Sequence, residues 1–197
     1  NIMPLGANKA AIMGVAGVST GDVVLIESIT ASDDATVTFD SGITSTYGEY
    51  IFKFYNIHPE TDRAHFKFQV NAAGGSGFDE TVTSTSFRTL HYEDDSGPVL
   101  EYMAAEDEAQ GTDFLHLVGD LGNVADESAS GELHLFNPSS TTYVKHWYSD
   151  VQCNSAVVYL HHSYNAGYIN TTTAIDEVQF KLTAGNMNGT IKMWGVK

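Results

Sequence analysis

Eight histidines, one cysteine and two acidic runs are the side chains of this sequence with the most chemical scope. His161 and His162 are adjacent, whereas His65, His91, His116, His134 and His146 are scattered through alternating segments. Neighbouring residues of a strand point to opposite faces, so His161 and His162 are badly placed to share one ion. HExxH and spaced Cys/His patterns are both missing, and no zinc site is expected. His65 and His134 fall at polar positions of their segments, where an exposed imidazole is the default.

The acidic runs are HYEDDSG, with Glu93, Asp94 and Asp95, and AAEDEAQGTD, with Glu106, Asp107, Glu108 and Asp113. Oxygen-rich loops suit a hard cation such as calcium, yet neither run has the D-x-D-x-D-G spacing, so both are expected to be solvated loops. Cys153 lies between Gln152 and Asn154 with no neighbouring base to lower its pKa, which makes it an inert thiol. As the single cysteine it excludes an intrachain disulfide and fits assembly in a reducing cytoplasm.

Nucleophilic catalysis has no signature here: there is no G-x-S-x-G elbow, and the Ser, His and Asp residues single out no triad. The GGSG stretch at 74–77 lacks the Lys and the helix of a phosphate loop and reads as a hairpin-type turn. No catalytic residue, cofactor site or metal site is therefore expected, nor any hydrolase activity or chelator sensitivity. Trp147 and Trp194 are the aromatics best suited to form a glycan platform, since a flat apolar ring stacks on a sugar. The competing reading places such aromatics in a core or at a subunit interface.

The elements that must position these side chains are strands. In AHFKFQV, Phe66, Phe68 and Val70 alternate with His65, Lys67 and Gln69. In DEVQFKL, Val178, Phe180 and Leu182 alternate with Glu177, Gln179 and Lys181. Ten further runs, from VVLIESITA to GTIKMWGV, are separated by Gly, Asn, Asp and Ser turns. With no amphipathic helix to carry crossovers, the sheets must be mainly antiparallel, which predicts a two-sheet, jelly-roll-like β-sandwich over residues 23–197.

Residues 1–22 differ in texture, being rich in Gly and Ala and nearly uncharged. They read as an extended N-terminal arm whose Ile2, Met3, Leu5, Ile12, Met13 and Val15 anchor on a neighbouring protein. Nine Lys and Arg against 25 Asp and Glu give a net charge of −16, which repels nucleic acid and anionic membranes. No apolar run has the length of a membrane span.

Three segments carry a resemblance: EYIFKFYNIHPETD (49–62), GELHLFNPSSTTYVKHWYS (131–149) and AGYINTTTAIDEVQFKLTAGNMNGTIKMWGV (166–196). Together they resemble small virion-associated structural proteins of tailed phages, especially those infecting marine bacteria and cyanobacteria. The resemblance implies a non-enzymatic virion protein, as a capsid decoration or tail-accessory subunit, with other virion proteins as partners. Its alternative is a tail-fibre module that binds a host receptor or surface glycan. Threefold and sixfold sites on such particles imply a homo-oligomer, with a trimer the natural choice.

Overall fold

The computed structural model describes residues 22–197, so the anchor residues named above lie outside the described residues. Thirteen strands follow one another: β1 Val23–Asp34, β2 Thr36–Phe39, β3 Glu49–Pro59, β4 Ala64–Ala72, β5 Val82–Tyr92, β6 Val99–Tyr102 and β7 Ala109–Gly111. They continue as β8 Leu115–Leu121, β9 Ala129–Phe136, β10 Lys145–Asn154, β11 Tyr159–Ile169, β12 Ile175–Leu182 and β13 Met187–Val196. There is no helix among the described residues. The three-residue β7 is the strand that sequence patterning misses, because it lies within the second acidic run and shows no alternation.

The period of two in β4 and β12 places their apolar residues on one shared face. Val70 pairs with Val178, Phe68 with Phe180 and Phe66 with Leu182. Apart from Leu182, which is nearly so, all of these side chains are fully buried. Phe180 packs on Phe54 at 5.3 Å and on Phe52 at 5.4 Å between ring centroids, joining the small sheet to β3 of the facing sheet. Burial of each such side chain contributes roughly 1.5–3 kcal/mol.

The large sheet has nine strands in the order β1-β13-β3-β9-β10-β11-β5-β6, with β7 also on β5; the small sheet runs β2-β12-β4-β8. All pairings are antiparallel. Two insertions, β5–β7 and β10–β11, extend the large sheet past β9. Without them the facing sheets are β1-β13-β3-β9 and β2-β12-β4-β8, the strand arrangement of a jelly roll. The expected sandwich is therefore the observed fold.

GGSG does not make the expected hairpin. It leads from β4 in the small sheet to β5 in the large one, and Gly74 takes the left-handed φ of 83° that this change of direction needs. Turn composition reports a change of direction but not which sheet receives the next strand.

Candidate functional site

The insertions create two chemically distinct surfaces, one on each side of the extended sheet. On the outer side, one row of paired residues crosses seven strands: Lys192, Lys53, Glu132, Asp150, Tyr164, Phe87 and Tyr102. The first four residues of this row are charged and the last three are aromatic. Lys53 Nζ lies 3.2 Å from Glu132 Oε2, while Phe87 and Tyr102 meet edge to face at 5.0 Å.

Phe87, Tyr148 and Tyr164 are exposed, and with Asp150 they line a shallow groove of about 350 Å³. His162 borders the row, accepting at Nδ1 from the Tyr164 hydroxyl at 2.9 Å and bonding Asp150 through Nε2. Such a set of ring faces, imidazole and carboxylate can stack on flat groups and hydrogen-bond hydroxyls or amides.

The two tryptophans do not form a platform. Trp147 is buried, with its ring edge-on to Phe68 at 4.9 Å, because the alternation of β10 turns it toward the core. Its ring faces are closed to any sugar. Trp194 is half-buried on the opposite face, paired with Leu25 and Ile51 at the far end of the large sheet. His134 is also not exposed as expected: Tyr148 stacks over it at 4.4 Å and 11°, and it contacts Glu49 and Glu132. That contact with His134, followed by those with Lys53, holds the Glu132 carboxyl below its usual range against the opposing effect of burial.

On the inner side, the insertion strands carry, among apolar core residues, a band of buried polar side chains beside β8. Asn165 Nδ2 donates to Leu117 O at 3.0 Å and to Ser149 Oγ, while its Oδ1 accepts from Ser86 Oγ at 2.7 Å. Cys153 Sγ contacts Gly119 O at 3.5 Å. Side chains thus reach the Leu117 and Gly119 carbonyls on the free edge of β8, and backbone contacts from Ala156 and Ser155 meet Asp120 and Leu121 beyond them. Burial, then Asp120 and Glu127, pushes the Cys153 thiol up to about 12, so it is unreactive at neutral pH.

Beside this network, three residues distant in sequence converge. His65 projects from β4, His116 from β8, and Glu106 from the connection between β6 and β7. Glu106 Oε1 is 3.3 Å from His65 Nδ1, and Oε2 is 3.1 Å from His116 Nδ1. Burial alone would raise the Glu106 carboxyl, but the contacts with His116 and His65 hold it well below the carboxylate range. Burial lowers His116, with Glu106 opposing. Glu106 is therefore not the freely solvated loop residue that its acidic run suggests, and no spacing in the chain links it to the two imidazoles.

A cleft of about 810 Å³ lies at the end of the sandwich between the β2–β3 and β9–β10 loops. It is lined by Ser45, Tyr47, Asn137, Thr142, Tyr143 and His146 among others, with no carboxylate in its lining. The acid–base pair that hydrolysis of a glycoside requires is not in this cleft.

The chain matches no known family model and no curated protein sequence. Among solved structures it is similar to a structural-genomics protein of unknown function from Bacteroides ovatus, at 8% identity and a TM-score of 0.28. The similarity covers 54% of this chain and 46% of that one. No helix among the described residues is long and apolar enough to cross a membrane.

Proposed function

We propose that this chain is a non-enzymatic structural subunit of a tailed-phage particle, a capsid decoration or tail-accessory protein that assembles in the bacterial cytoplasm. The outer face of its large sheet is the surface that meets a neighbouring virion protein. The observation that carries this reading is the row from Asp150 through Tyr164 and Phe87 to Tyr102, where aromatic rings stand exposed on a broad sheet along a shallow, open groove. Exposed apolar patches of this kind mark interaction sites, and aromatic residues dominate the energy of protein interfaces.

The net charge of −16 favours a partner with a basic surface and disfavours nucleic acid. The resemblance in sequence supplies the particle; the jelly roll suits capsid and lectin domains alike and chooses between neither. Assembly as a homotrimer, and docking through residues 1–22, belong to the same proposal.

Imaging of purified particles tests it. The protein should occupy regular sites, and Phe87→Ser with Tyr164→Ser should lower occupancy while leaving the fold intact. Particles that lack the protein altogether would overturn the reading. The groove beside Tyr148, Asp150 and Tyr164 favours a second reading, a receptor- or glycan-binding module. Saturable binding of host surface glycan, lost in Tyr164→Ala, would select that one.

A further inference from the structure

We propose that His65, Glu106 and His116 bind one divalent metal ion of the zinc class. The three side chains offer two imidazole nitrogens and a carboxylate oxygen, all within 4.8 Å of one another. That spread matches what three ligands of a common ion require, since metal–ligand distances near ~2 Å separate neighbouring ligand atoms by roughly 3–4 Å.

The second observation is the state of His116. Its side chain is only 3% exposed, and Nδ1 has no hydrogen-bond partner although Glu106 Oε2 lies 3.1 Å away. The nitrogen is close to the carboxylate but not aligned with it, as expected when both address a third atom.

Gly119 supplies a further reason to regard the arrangement as built. A Cβ at that position would stand 3.1 Å from His116 Cε1 and 3.3 Å from His65 Cε1, so the glycine makes room for both rings. The rings themselves sit 5.5 Å apart at 79°. Lys67 Nζ is 3.8 Å from Glu106 Oε2, and its flexible, partly exposed stem lets the ammonium withdraw when an ion enters.

Two imidazoles and one carboxylate suit zinc and its neighbours better than calcium or magnesium, which prefer all-oxygen shells. Three protein ligands leave a fourth position for water or a partner's side chain. The ion would tie the connection that carries Glu106 to β4 and β8, joining the inserted edge of the large sheet to the small sheet. This departs from the expectation, drawn from missing motifs, that the protein takes no metal.

Zinc sulfate titrated calorimetrically into full-length, EDTA-treated and dialysed protein tests the site, with cobalt(II) chloride as a spectroscopic probe. One equivalent of zinc should bind, raise the melting temperature and compete with cobalt showing the visible absorption of a low-coordinate, nitrogen- and oxygen-ligated ion. Loss of an outer partner costs metal sites 10–100-fold, so loss of a ligand in Glu106→Gln or His65→Ala should weaken binding by roughly a hundredfold or more. Both residues are more exposed than His116, so these variants are the ones expected to fold, and their melting curves establish that they do. His91→Ala, at an imidazole outside the cluster, should bind as the unaltered protein does. Absence of saturable binding by the folded protein overturns the proposal, as does unchanged affinity in a folded His65→Ala, Glu106→Gln double variant.

Discussion

The Trp147 ring stands edge-on to Phe68, with centroids 4.9 Å apart and planes at 82°, and this contact fastens β10 of the large sheet to β4 of the small one. Phe68 is fully buried and pairs with Phe180 in the β4–β12 ladder. Truncation leaves a cavity between the layers, so Phe68→Ala should cost about 3–5 kcal/mol in urea denaturation. Phe68→Asp adds an unpaired buried charge and should abolish soluble expression. A soluble Phe68→Asp chain that melts cooperatively would contradict the sandwich.

Acid should weaken the fold through His161. Burial first, then the charges of His116 and Arg88, lowers this imidazole from 6.5 to about 4 in the folded chain. Between those values the unfolded chain binds more protons than the folded one, so stability rises with pH across the window. The contribution is complete above about pH 6.5 and lost as pH falls toward 4, amounting to at most about 3 kcal/mol. Urea midpoints at neutral and mildly acidic pH should show this slope, and His161→Asn should flatten it.

Cys153 should resist alkylation in the native state. Its buried thiol is held at about 12, so almost no thiolate exists at pH 8. Iodoacetamide should label it only after denaturant is added. Fast labelling of the folded chain would place Cys153 on a surface rather than behind β8.

Phe87→Ser and Tyr164→Ser remove exposed rings from the outer face and should shift stability by no more than about 0.5–1 kcal/mol. Any larger loss would mean that the rings serve the fold rather than a partner.

Removal of residues 1–21 should leave the melting temperature unchanged. Among the described residues the first and last strands already pair, Val23 with Val196, and Lys197 N donates to Asp22 O at 3.0 Å. Thermal denaturation of the truncated chain checks this directly.

The sequence by itself determined the strands and their faces. Alternation is local, so Phe66, Phe68 and Val70 had to share a side, and His161 had to oppose His162, whatever the partners were. The isolation of Cys153 from basic residues in the chain likewise marks it as inert, independently of its burial. Only tertiary structure decided which strand lay over which. It sent GGSG between sheets, turned Trp147 into the core and left Trp194 on the other face, far from any shared platform. It also brought His65, Glu106 and His116 from two strands and a loop into one cluster. Pairing and layering are settled by long-range burial of apolar surface, which leaves no spacing in the chain; periodicity within a strand follows from its own backbone geometry, which does.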